Sequence, residues 1–186
     1  MKRLGSILVL FLLLTGCGVR NEELDQIMAL RAKLLRAAGC RFDAVVTADY
    51  GEKIHSFSLQ CSADSQGNLS FTVLEPETIT GIAGTISGEG GKLTFADTAL
   101  AFELLADGQV TPVSAPWLLI KTLRGGYVTS CGRDGDLLRV AIDDSYDADA
   151  LHLDIWLGEG DVPVRGEILY KDRRILSLEV RNFQIL

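Results

Sequence analysis

The sequence is poor in the residues that usually announce chemistry. It holds two histidines, His55 and His152, and four cysteines in 186 residues. No Cys-x-x-Cys, His-Glu-x-x-His or Gly-x-Ser-x-Gly occurs, which leaves dithiol redox work, zinc hydrolysis and nucleophilic hydrolysis without a motif. There is no basic stripe. Lys and Arg total 18 against 25 Asp and Glu, so a nucleic-acid ligand and electrostatic adhesion to anionic lipid are both disfavoured. No apolar run reaches the roughly 20 residues a spanning helix needs. Proline is scarce, at four, whereas glycine is plentiful, at 19. That balance suits strands joined by tight turns.

What is present begins with a leader. Lys2 and Arg3 precede an unbroken apolar run, residues 7–14. A charged start and a short apolar stretch describe a secretory signal peptide. Its end, Leu14-Thr15-Gly16-Cys17, resembles the bacterial lipobox, in which the cysteine receives a diacylglyceryl group through a thioether. The expected division is therefore 1–16 signal peptide, 17–20 lipidated tether and 21–186 a single domain. Cys17 is the expected acylation site. The anchor implies the extracytoplasmic side of the cell membrane, the outer membrane not being distinguished. With Lys2 and Arg3 removed, the mature chain carries 16 basic and 25 acidic residues, a net charge of −9. Lipid, not charge, would then hold it to the bilayer.

Three cysteines remain, Cys40, Cys61 and Cys131, in a compartment that permits disulfides. Cys40 and Cys61 are a candidate cross-strand pair, provided that Tyr50-Gly51 form a two-residue hairpin loop. Cys131 is then the odd thiol, buried or available to link two copies into a dimer.

Asn21 reads as a cap for a helix over 21–38. Acidic residues crowd its first turn, Arg31, Lys33 and Arg36 its later part, and Gly39 would stop it. Beyond Gly39 the period becomes two: Phe42, Ala44, Val46 and Ala48, then His55, Phe57, Leu59 and Cys61, then Leu69, Phe71 and Val73. Strands are expected at 79–86, 92–95 and 99–104 between glycine-rich turns. Ser114, Pro116, Trp117, Leu118, Ile120 and Leu123 mark a short helix. Strands resume at 127–131, 137–142, 151–157, 164–170 and 175–185. The fold class is mainly β (α+β), one strongly curved antiparallel sheet, a half-barrel wrapped around an N-terminal helix and a short central one.

Candidate chemistry is thin. His55 shares a strand face with apolar residues and reads as a packed or rim residue. Asp143, Ser145, Asp147 and Asp149 alternate like calcium ligands. However, Ala148 stands where an EF-hand loop needs glycine, and the flanks are strands. A solvated acidic hairpin is the expectation. No catalytic residue, metal or cofactor is assigned.

The layout resembles the LolA-like superfamily. The resemblance rests on the N-terminal helix, on Phe71-Thr72-Val73-Leu74-Glu75-Pro76, and on residues 79–95. It rests also on Leu151-His152-Leu153-Asp154-Ile155-Trp156-Leu157, Pro163, Glu167-Ile168 and Val180-Arg181-Asn182-Phe183. It implies a lipoprotein-carrier type fold without catalysis, although the soluble periplasmic carrier lacks an anchor. Two roles follow as expectations. One is a lipid-anchored binding protein that holds a lipid or acylated partner in an apolar groove lined by Val46, Phe57, Phe71, Val73, Phe95, Trp117, Leu118 and Trp156. The other is a non-catalytic scaffold or regulator of an envelope enzyme, akin to germination and sporulation lipoproteins.

Overall fold

The computed structural model describes residues 22–87, 94–95, 106 and 110–186. Helix α1 spans Glu22–Arg36, and helix α2 spans Ala115–Gly125. The strands are β1 Gly39–Asp49, β2 Ile54–Asp64, β3 Leu69–Glu75, β4 Ala83–Ile86, β5 Thr94–Phe95, β6 Tyr127–Asp134, β7 Leu137–Asp143, β8 His152–Leu157, β9 Pro163–Tyr170 and β10 Arg173–Ile185. They form one antiparallel sheet in the order β5-β4-β3-β2-β1-β10-β9-β8-β7-β6. Each half is a meander, and the halves meet where β1 pairs with β10.

This order dictates where the second helix goes. β5 and β6 are opposite edges, so the chain between them must cross the full sheet. Ten flat strands would measure about 43 Å across, whereas the eleven residues of α2 are about 16 Å long. The sheet is curved and unclosed, and α2 lies within the crossover, packed on its inner face. Leu118, Leu119, Ile120 and Leu123 of α2 join Ile27, Leu30 and Leu34 of α1 in the core. From the strands come Phe42, Ala44, Val46, Leu59, Phe71, Val73, Ile155, Ile168 and Leu178.

Two arginines fasten the helices to each other. Arg31 of α1 donates from Nε to the Leu123 carbonyl (2.8 Å) and from Nη2 to those of Gly126 (2.8 Å) and Thr122 (3.3 Å). Arg124 of α2 donates to the Leu34 carbonyl of α1 (2.7 Å) and to Ser65 in the β2–β3 turn (2.6 Å). Each helix thus supplies the cation that satisfies the open carbonyls at the other's C-terminus. Burial lowers the Arg31 pKa from its ordinary value.

Several local expectations change. Gly39 does not terminate α1 as a left-handed cap. It opens β1, where a Cβ would stand 2.2 Å from the Ala63 carbonyl oxygen. The expected strand over 79–86 is split: Glu77–Ile79 form a 3₁₀ turn, Gly81 takes φ +86°, and only Ala83–Ile86 pair. Thr80 explains the break, because its hydroxyl donates to the carbonyls of Leu74 (2.9 Å) and Pro76 (3.1 Å). The expected strand over 99–104 lies outside the described residues.

Candidate functional site

The space between helices and sheet is the natural place for an apolar groove, and most of the candidate residues described there are buried. Val46 and Val73 are fully buried, Phe71 and Leu118 nearly so, and Phe57 is 8% exposed. Trp117 is only half-buried, at the edge of α2, with Lys121 Nζ 5.3 Å from its ring centre. The side chain of Phe95 lies outside the described residues. Trp156 is on the other side of the sheet. On β8 the odd positions Leu153, Ile155 and Leu157 point to the helices, so Asp154 and Trp156 must point outward. The eight candidates therefore do not line one space.

Outward from Trp156 runs a charged ladder across β6 to β10. The indole Nε1 donates to Asp134 Oδ2 (2.7 Å), and the guanidinium carbons of Arg165 and Arg139 stand 4.4 and 5.6 Å from its ring centre. Arg139 holds the buried Asp154 with two hydrogen bonds (3.1 and 2.7 Å), which raises the arginine's pKa. Glu167 accepts from Arg165 and from Arg174. Burial works against its charge, yet those two hydrogen bonds outweigh it and hold the carboxyl below its usual range. His152 Nδ1 lies 2.7 Å from Asp143 Oδ1. The charges are matched within the network, which explains how polar groups are covered on this face.

Open space lies elsewhere, on the outer face of β10, β1, β2, β3 and β4. A trough of about 660 Å³ is lined by Arg41, Asp43, Gln60, Ser62, Ser70, Thr72, Thr85, Asn182 and their strand neighbours. A depression of about 340 Å³ shares Asp43 and Asn182 with it and continues past Ser58 to Leu74 and Glu75. A third, about 490 Å³, shares Ser62, Ser70 and Thr85 and continues to Asn68 and Ser87. Together they make one groove that follows β2 from Ser58 to Asp64, about 20 Å at strand spacing.

Sequence makes this groove in two ways. Along the middle of β2, β3 and β4 the outward positions are hydroxyls and amides rather than long charged chains, so the face stays low there: Ser62 pairs with Ser70, Ser70 with Thr85, and Gln60 with Thr72. Register also slips between Arg41 and Asp43 opposite β10, where Asn182 takes φ +54° and donates to Asp43 Oδ2 (2.7 Å). A bulge of this kind adds local twist and bends the strand. On the inner side the same slip lets Phe42 and Phe183 stack at 5.4 Å. Among the described residues the Arg41 side chain has no hydrogen bond or ion pair. Sequence reasoning missed these residues. Their signal is the polar half of the period-two pattern, in which Ser and Thr replace the usual Lys and Glu.

The cysteine geometry departs from the expected register. Asp49 pairs with Ile54, and Tyr50–Lys53 form the loop, with Gly51 at φ +91°. Cys40 consequently faces Ala63, and Cys61 faces Phe42. The two thiols are free, buried and diagonal to each other, not opposite. Burial pushes Cys40 up to about 11, and Cys61 higher still. Cys131 is half-buried on edge strand β6. His55 is exposed, edge-on to Tyr50. In the acidic run Asp144 accepts from the Leu151 amide (2.8 Å) and pairs with Lys121 (3.4 Å). No cluster of three or more metal-ligating side chains forms among the described residues. No helix there is long and apolar enough to cross a membrane.

No family model matches the chain, and no curated protein does. Solved structures do. One is a DUF1329 family protein from Desulfovibrio piger, 7% identical over 88% of this chain and 92% of that one, TM-score 0.42. Another is the LolA superfamily protein NE2245 from Nitrosomonas europaea, 8% identical over 86% and 93%, TM-score 0.38. A third belongs to the MucA/MucB complex of Pseudomonas aeruginosa, 9% identical over 88% of this chain but 56% of that one, TM-score 0.41. The architecture itself is an unclosed curved sheet around an N-terminal and a short central helix.

Proposed function

We propose that the protein is a lipid-anchored, extracytoplasmic, non-catalytic binding protein that holds an extended segment of another envelope protein along the outer groove of β1 to β4. One observation carries this reading: Val46, Phe57, Phe71, Val73 and Leu118 are buried on the inner side, while a trough of about 660 Å³ lies open on the opposite face of the same sheet, with Ser, Thr, Gln and Asn along it. An acyl chain gains from apolar walls. The Ser, Thr, Gln and Asn side chains along this groove match instead the amides and polar side chains of a peptide. The groove's length suits a strand-like segment of about six residues. The anchor at Cys17 would keep the complex at the membrane, since several acyl chains together hold firmly.

The test is disulfide-independent crosslinking in native membranes, comparing the natural chain with Ser62→Arg and Ser70→Arg, which fill the groove without touching the core. Loss of one specific adduct in both variants, with unchanged thermal unfolding, supports the reading. An adduct pattern indifferent to both substitutions refutes it. So does one mole of extractable acyl lipid per mole of protein beyond the N-terminal chains, which would restore carriage in an apolar groove.

A further inference from the structure

Helix α1 has two apolar arcs. Ile27, Leu30 and Leu34 are buried against the sheet. At 100° per residue, Leu24, Leu35, Met28 and Ala32 fall within an adjoining arc of about 80°. Met28 and Leu35 are 47% and 53% exposed. The remaining arc carries Glu22, Asp25, Lys33 and Arg36. Arg31, which is spent on capping α2, borders this second apolar arc.

Chain length says what covers it. Glu22 follows Cys17 by five residues, a span that reaches about 18 Å at full extension. From Glu22 to Leu35 the helix axis advances about 20 Å. A domain tied that closely cannot stand clear of the bilayer, and the surface nearest the tie is α1. We propose that the exposed Met28 and Leu35 rest in the headgroup region of the phospholipid bilayer, so that α1 lies along the membrane and the groove, on the opposite face of the sheet, is turned toward the aqueous side. This rests on acylation of Cys17. The mature net charge of −9 makes the contact apolar rather than electrostatic.

The experiment uses the full acylated chain in phosphatidylcholine vesicles, with Cys131→Ser and a fluorophore placed on Met28→Cys, Leu35→Cys or Ser62→Cys. Mass spectrometry first establishes acylation and flotation establishes vesicle binding. Labels at positions 28 and 35 should be quenched several-fold more by headgroup-labelled lipid than the label at 62. The ratio should hold when salt is raised from low to molar, and when anionic lipid is added. Equal quenching at all three positions of an acylated, vesicle-bound chain overturns the orientation alone. An unacylated chain that fails to float overturns the anchor and the orientation together.

Discussion

Glycines and cysteines make the sharpest claims at the level of single residues. Gly39 is required by crowding, not by backbone sign. Gly39→Ala would drive a methyl group into the Ala63 carbonyl, so denaturant unfolding should show a loss of about 1–3 kcal/mol. Gly132, whose added Cβ would meet nothing within 4 Å, is the control, and Gly132→Ala should change stability by less than about 0.5 kcal/mol. For the thiols, burial raises the native pKa above the ordinary 9.0. The unfolded chain therefore releases these protons first, and native stability is full below pH 9 and declines as pH rises toward the folded values. Alkylation at pH 8.5 followed by peptide mapping should leave Cys40 and Cys61 unmodified until the protein is unfolded. Rapid labelling of either in the native state would contradict their burial.

Between elements, the reciprocal arginines and the charged ladder are the joints. Arg31→Met and Arg124→Met each remove hydrogen bonds from a cation to helix-end carbonyls, at about 1.5–3 kcal/mol apiece. Because both tie α1 to α2, the double variant should lose less than the two singles combined, and a double-mutant cycle by urea unfolding measures the difference. The ladder responds to acid. Glu167 titrates below its ordinary 4.5 in the folded protein, so its contribution is present above that value and is lost as pH falls through the folded pKa. Thermal unfolding from pH 6 to pH 3 should fall less steeply for Glu167→Gln than for the natural chain. This is also the scale at which the sequence was most legible. Both helices, and strands such as Phe42–Ala48 and Leu69–Val73, follow from periodicity alone. What escaped were features set by one or two residues: the four-residue loop that moved Cys40 away from Cys61, the hydroxyl of Thr80 that cut a strand, and the bulge at Asn182. The alternation of β8 already placed Trp156 outward, but its bulk invited an inward reading. The groove escaped because it is made of ordinary serines and threonines whose neighbours come from other strands.

For the molecule as a whole, the seam between β1 and β10 is decisive. Eight residue pairs, from Cys40–Ile185 to Ala48–Leu176, join strands more than a hundred residues apart in the chain. Removing β10 leaves two sheets, each with a long bare edge. A chain ended after Asp172 should lose the single cooperative transition and bind a hydrophobic dye, as judged by calorimetry and fluorescence. Placing such a seam in the middle also sets an order of events in the life of the protein. The first half of the sheet can curl as it emerges, but it waits for its neighbour until the last strand arrives, so folding is paced by distant closure rather than local structure.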